Sequence, residues 1–279
     1  MKYFEDKVFD TIKRFRMITP SDRVCVAVSG GKDSLSVLYL VKKFLDAKKG
    51  GGSVVALAIN EGIEGYRQKT LDDLKLFCSQ QKIELRLLSY KEEFGTTLDY
   101  LVQQKKIAGK PCGACGTFRR SLLNRGSKGF DKLVTGHNMD DEVQAIMMNI
   151  FRHHLELALR SGPKTPQNPA GLFVQRVKPL YFCSEKEVRL YAHLQGFLTT
   201  FTECPNAAVS FRASVRDFIN EYEAKCPGTK SMIVQWFLDT IGKDSSKKRS
   251  VISSVCLACG EPAVGTRCGS CTIVEQLRA

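Results

Sequence analysis

Apolar and polar positions along this chain follow two alternating rhythms. Phe4, Val8, Ile12 and Phe15 recur at helical spacing and predict an amphipathic helix over about Lys2 to Arg16, which Pro20-Ser21-Asp22 ends. Arg23 to Val28 is then a short β-branched run of the kind that makes a strand buried on both faces. Val54 to Asn60, Ile83 to Tyr90 and Lys132 to Gly136 have the same character. Between them lie helical patterns over Ser34 to Lys43 and Gln68 to Gln81, a third begins near Asn138, and Gly50-Gly51-Gly52 reads as a turn. Alternating strands and helices predict an α/β fold with a doubly wound parallel sheet. Such sheets bind ligands beyond the carboxyl ends of their strands. The glycine loop after the first strand, Asn60 after the second and Gly136-His137-Asn138 after the fourth should therefore converge on one cleft.

The pattern changes after about residue 160. Arg160 to Gly171 is a loop by composition and a candidate cover for an active site. Ser184 to Leu194, Phe211 to Lys225 and Ser231 to Ile241 read as helices, Lys243 to Ser250 as a basic linker, and Val255 to Cys271 as a small module of its own. The expected organisation is an N-terminal helix (1–20), an α/β body with a CxxC loop (21–160), a helical region completing the site (161–242), a linker (243–253) and a cysteine module (254–279).

Composition narrows the function. Lys and Arg number 42 against 29 Asp and Glu, a formal charge of +13. That excess favours polyanionic partners such as nucleic acid, although a basic protein without one stays open. A hydrophobic fraction of 43% supports a real core. No apolar run approaches the roughly 20 residues a bilayer requires, and Met1 to Asp6 carry no signal-peptide core. The expected compartment is the cytosol, with no membrane partner. There, 11 cysteines point to ligands or packing rather than to disulfides. Cys25, Cys78, Cys183 and Cys226 lie in apolar or helical contexts and read as small core residues.

Three constellations carry chemistry. In Ser29-Gly30-Gly31-Lys32-Asp33-Ser34, paired glycines let the backbone approach a ligand, and the helix that follows offers free N–H groups to phosphate. The hydroxyls of Ser29 and Ser34 and the Lys32 charge suit an anion, while Asp33 suits loop orientation or Mg²⁺. The G-x-x-x-x-G-K-[ST] spacing is absent, and a tight turn would also explain the glycines. Asp140 and Asp141 open a helix, where carboxylates either complement the helix dipole or hold Mg²⁺. Cys112-x-x-Cys115, between Pro111 and Gly116, is expected in an accessible loop; alone it permits a redox pair, half a zinc site or two cluster ligands. Cys204 supplies a possible third thiolate or a packing residue. By contrast, Cys256/Cys259 and Cys268/Cys271 form two knuckles with tetrathiolate zinc spacing, hence a structural site. The basic approach Lys247-Lys248-Arg249 reads either as an RNA contact or as a solvated linker.

Val26 to Ser34 closely resembles the PP-loop of ATP pyrophosphatases, and the resemblance extends through most of the chain. It takes in Gly62 to Arg67, Pro111 to Gly116, Gly136 to Glu142, Arg176 to Leu180, Glu203-Cys204-Pro205 and the cysteine module. Together these segments resemble the tRNA 2-thiouridine synthetases. The resemblance implies ATP contacts at Ala27, Ser29, Gly30, Gly31, Lys32, Asp33, Ser34, Ile59, Arg119, Gly136 and Asp141, with Lys32, Asp33, Asp141 and the cysteines Cys112, Cys115 and Cys204 as the catalytic set. It also implies that this cysteine triad holds a 4Fe–4S cluster with one open iron, and that ATP with Mg²⁺ adenylates O2 of a tRNA uridine. Sulfur would come from a ubiquitin-like thiocarboxylate protein or free sulfide, and the protein would be a homodimer. The family usually has a further zinc module ahead of the first helix, whereas this sequence opens on that helix. His153-His154 departs from the pattern, but adjacent residues do not share a helix face, so no metal is expected there. Alternatives are thiolation of a tRNA cytidine, a PP-loop amide synthetase and a non-catalytic RNA-binding subunit; the wobble and T-loop uridines are both open as targets.

Overall fold

The computed structural model describes residues 1–104, 111–154, 157–158, 161–166, 171–197, 204–205, 211–240 and 254–278. Its elements in chain order are α1 (Lys2–Arg14), β1 (Arg23–Val28), α2 (Lys32–Asp46), β2 (Ser53–Asn60), α3 (Arg67–Gln80), β3 (Glu84–Ser89), α4 (Tyr90–Phe94), α5 (Leu98–Gln104) and α6 (Pro111–Gly126). These lead to β4 (Lys132–Thr135), α7 (Met139–Phe151), β5 (Arg176–Val177), α8 (Glu185–Leu194), α9 (Phe211–Lys225) and α10 (Thr229–Thr240). The chain closes with β6 (Ser254–Val255), β7 (Pro262–Ala263) and α11 (Gly269–Arg278).

Five parallel strands lie in the order β3-β2-β1-β4-β5. Period-two alternation divides their side chains between two cores. Val24, Val26, Val28, Ala56, Ala58 and Val134 face one side, where α1, α2, α3 and α8 pack. Cys25, Val55, Leu57, Ile59 and Leu133 face the other, against α4, α5 and α6. Burial on both faces explains the nearly unbroken apolar runs of β1 and β2. At the sheet edge, β3 is largely half-exposed, and its sequence is correspondingly mixed. The order reverses between β1 and β4, so the crevice of a doubly wound sheet falls at their carboxyl ends.

Several expectations need adjustment. The helix after the glycine loop starts at Lys32, so Lys32 and Asp33 belong to its first turn. The Cys112/Cys115 segment is not a loop: Pro111 opens α6, where a missing N–H costs nothing, and the two cysteines fall in its first turn. Within the expected cover loop, Lys164 bridges to Val177, and Thr165 N–H donates to the Arg176 carbonyl at 2.9 Å. That stretch is thus paired to the sheet edge; residues 160 and 167–170 of the loop, and the linker, lie outside the described residues. Among the described residues no helix is long and apolar enough to cross a membrane.

Candidate active site and cysteine centres

A cavity of about 220 Å³ opens at the switch point between β1 and β4. Ala27, Leu57, Ile59 and Leu123 form apolar walls, while Ser29, Asp33, Gly136 and Asp141 bring polar groups. Asn60 does not join them. Alternation along β2 directs Ile59 and Glu61 into the cavity, and Asn60 instead accepts the Gly62 N–H at 3.0 Å to turn the chain.

The glycine loop is held tightly. Gly30 adopts φ +85, and a Cβ there would meet the Thr70 carbonyl oxygen at 2.7 Å. Ser34 braces the turn from within: its hydroxyl accepts the Ser29 N–H at 3.1 Å and donates to the Gly31 carbonyl at 2.9 Å. Gly31 is the N-cap of α2 in extended conformation, so the first turn of that helix presents its amides at the loop. Lys32 is buried and donates to Asp33 Oδ2 at 2.8 Å and to Glu185 Oε1 at 3.1 Å. Burial opposes its charge, but these carboxylates hold its pKa above the ordinary lysine value.

Gly136 lets β4 end against α2, since a Cβ would lie 3.0 Å from the Asp33 backbone. Asn138 then caps α7: its side chain accepts the Asp141 N–H at 3.1 Å, and Asp141 returns the bond to the Asn138 N–H at 3.2 Å. The Asn138 amide also donates to Asp33 Oδ1 at 2.9 Å, joining the two acids across the site. Burial pushes the Asp141 carboxyl above the usual range, against Arg212 at 3.7 Å. Asp140 has another role, accepting bonds from Lys230 and, at 2.8 Å, from the Glu185 N–H. A second cavity of about 210 Å³ shares Asp33 and Asp141 and adds Glu185, Arg212 and Arg216.

The opposite wall comes from α6. Arg119 lines the cavity, donates to Glu61 Oε1 at 2.8 Å and approaches Cys115 Sγ at 3.8 Å. Glu61 also pairs with the buried Arg67 at 2.8 Å. Cys115 is buried, and desolvation raises its thiol pKa. The Tyr90 hydroxyl lies 3.5 Å from its sulfur and donates to its carbonyl at 2.8 Å. Cys112 is exposed one turn earlier, and the half-buried Cys204 packs on the core cluster that contains Cys115. Cys204, from a distant segment, thus packs on the same apolar cluster as Cys115, with Cys112 exposed on the first turn of α6; the three sulfurs do not close into one compact ligand set.

Cys256, Cys259, Cys268 and Cys271 place their sulfurs within 4.8 Å of one another, the compact set a tetrahedral ion requires. This module leans on α6: Ile273, Val274 and Leu277 of α11 join its core cluster, and Glu261 pairs with Lys128 at 2.8 Å. Sequence reading had passed over Glu61, Arg67, Glu185 and Arg212. Position at a strand end and membership of the Gly62 to Arg67 motif were available signals for the first two; the others meet the site only through tertiary packing.

Fold and site together define a nucleotide-binding α/β protein with its phosphate loop at the switch point. The PP-loop domain family matches residues 4–222. The tRNA-5-methyluridine(54) 2-sulfurtransferase of Pyrococcus horikoshii is 35% identical over 97% of this chain and 84% of its own length. The tRNA 2-thiolation protein NcsA of Haloferax volcanii is 34% identical over 91% and 82%. A solved U34-tRNA thiolase NcsA from Methanococcus maripaludis, with its 4Fe–4S cluster, superposes with a TM-score of 0.81 at 32% identity, covering 99% of this chain and 87% of that one. The chain belongs to the tRNA 2-thiolation enzymes of the PP-loop family.

Proposed function

We propose that this protein is an ATP-dependent tRNA uridine 2-sulfurtransferase. One observation carries the reading: Arg119 lines the nucleotide cavity while its guanidinium lies 3.8 Å from Cys115 Sγ, so the two centres share a wall. The amides of the glycine loop and α2 would hold the ATP phosphates, with adenine against Ala27 and Ile59. Asp33 and Asp141, joined through Asn138, would hold Mg²⁺ on the phosphates. Uridine O2 attacks the α-phosphorus and pyrophosphate leaves. A sulfur nucleophile then attacks C2, and AMP departs with the former O2.

Cys112, Cys115 and Cys204 are the residues that would hold a 4Fe–4S cluster, with the Arg119 guanidinium already near Cys115 to stabilise thiolate character. Bound there by three cysteines, it would supply an iron open to a sulfur ligand. Zn²⁺ fits the four-sulfur module as a structural ion. Sulfur is proposed to arrive from a ubiquitin-like thiocarboxylate carrier or as sulfide, in the cytoplasm.

The test is anaerobic incubation of the cluster-loaded protein with unmodified tRNA, ATP, Mg²⁺ and sulfide, followed by mass mapping of the nucleosides. Expected products are 2-thiouridine at position 34 or 54, AMP and pyrophosphate. Formation of ADP, thiolation of cytidine, or ATP cleavage indifferent to tRNA would each overturn the proposal.

A further inference from the structure

Two guanidiniums on the α6 side of the site have no carboxylate. Arg176, at the start of β5, donates to Asn124 Oδ1 of α6 at 2.8 Å. Arg120, one turn nearer the cysteines, donates to Thr117 Oγ1 at 3.3 Å. Among the described residues no acidic side chain pairs with either. Glu61 already serves both Arg67 and Arg119, so this wall sets four guanidiniums against one carboxylate. The excess is felt locally. Burial, then the Arg120 charge, hold the Arg176 pKa down to about 10, and Arg120 is depressed as well, by desolvation and by Arg119. The His137 imidazole lines the cavity, and desolvation first, then Lys178, Arg212 and Arg176 against Glu142, push its pKa down to about 4.

An uncompensated cationic wall implies an anion that arrives with a ligand. The ATP phosphates do not fill that role, because their loop is on the β1 side and neither Arg120 nor Arg176 lines that cavity. Arg120 lies instead over Gly116, where a Cβ would come within 3.1 Å of Nη1, immediately beside Cys115. Arg120 thus stands beside the cysteine turn of α6, and Arg176, close enough to feel its charge, also acts on His137 of the cavity lining. A base can reach an enclosed site there only when turned out of its stack, and that needs the adjoining backbone to be gripped at the rim. Guanidiniums suit phosphate because of their planar, forked donors.

We propose that Arg120 and Arg176 form a clamp for an RNA phosphodiester next to the uridine that enters the cavity. This rests on the function proposed above. The rival role for the same charges is to balance a negatively charged cluster on Cys112, Cys115 and Cys204.

The experiment compares Arg120→Gln, Arg176→Gln and Arg176→Lys in the full-length, cluster-loaded protein. tRNA affinity is titrated against salt, alongside ATP affinity, cluster absorbance and circular dichroism. Each Gln variant should bind tRNA about tenfold more weakly and lower the log–log salt slope by about 1, as one lost phosphate contact does. Arg176→Lys should keep the slope, and ATP affinity and cluster absorbance should not move. Wild-type slopes in folded Gln variants would overturn the clamp, as would loss of cluster absorbance with tRNA binding intact. If the wild-type protein binds no tRNA, the parent function fails too; if it thiolates tRNA while the variants keep the slope, only the clamp fails.

Discussion

Arg67 donates to the Ser29 carbonyl oxygen at 2.6 Å. Its other nitrogens reach the Ile59 carbonyl and Glu61, so one buried side chain fastens the phosphate loop to the end of β2. The Ser29 and Ile59 carbonyls are backbone acceptors at strand ends, where no ladder partner remains to satisfy them.

Arg67→Lys should therefore separate charge from geometry. Lysine can pair with Glu61 but cannot bridge two carbonyls, so the fold should survive while ATP affinity falls about tenfold, the effect of losing about 1.4 kcal/mol of loop organisation. Arg67→Ala removes the charge as well and should destabilise further, by less than the about 3–5 kcal/mol of stranding a buried ion because Arg119 still holds Glu61. Thermal unfolding and calorimetric ATP titration measure the two effects. A Lys variant with wild-type ATP affinity would remove Arg67 from the positioning of the loop.

Asn138 offers a sharper dissection, because one amide caps α7 and also grips Asp33. Asn138→Ser can still cap but cannot reach Asp33 as an amide does, whereas Asn138→Ala loses both. The Ala variant should lose about 1–2 kcal/mol of stability, a typical cap, and the Ser variant only a few tenths. Both should raise the Mg²⁺ concentration needed for half-maximal tRNA-stimulated AMP release, because Asp33 and Asp141 are no longer held together. Equal Mg²⁺ requirements in wild type and Ser variant would show that the Asn138–Asp33 bond does not organise the site.

The sheet was legible because β1 and β2 are buried on both faces, which leaves an apolar run that almost any reading finds. The glycine loop was legible for a similarly local reason: Ser34 bonds back to Gly31 and Gly30 takes a positive φ, although the Thr70 backbone that crowds Gly30 comes from far along the chain. The Cys112/Cys115 segment misled because two glycines and a proline outweigh helix propensity in sequence, whereas in the fold Ala114, Phe118 and Leu122 pull the segment into the core as a helix. Likewise Arg212 acquires its meaning from Asp141, 71 positions away, a separation at which pattern carries no information, and the links from Glu61 to Arg119 and from Arg67 to Ser29 span 58 and 38 positions.

The two cysteines of α6 differ in environment and should differ in reactivity. Cys112 is exposed, while Cys115 is buried with its thiol pKa raised by desolvation. In cluster-free protein at neutral pH, iodoacetamide should label Cys112 well before Cys115, because alkylation requires an accessible thiolate. Peptide mass mapping over time gives the order. Arg119→Gln, which removes the cation 3.8 Å from the sulfur, should slow Cys115 further. Faster labelling of Cys115 than Cys112 would contradict the described placement of the helix.

The cysteine module should influence the active site through α6 rather than by reaching toward it. Glu261, itself buried, pairs with Lys128 at 2.8 Å and approaches Arg125 at 3.7 Å, while Ile273, Val274 and Leu277 cover the core around Cys115 and Phe118. A segment this short has little core beyond its own cysteines, so the zinc proposed for them would supply most of its folding free energy. Stripping the metal with a chelator should expose α6 from outside, lowering the melting temperature and speeding Cys115 alkylation toward the Cys112 rate. Glu261→Ala should do the same more weakly while retaining one zinc per chain by metal analysis, which separates docking from coordination. Were Cys115 to stay protected after complete zinc removal, the module would have no structural hold on the cysteine centre.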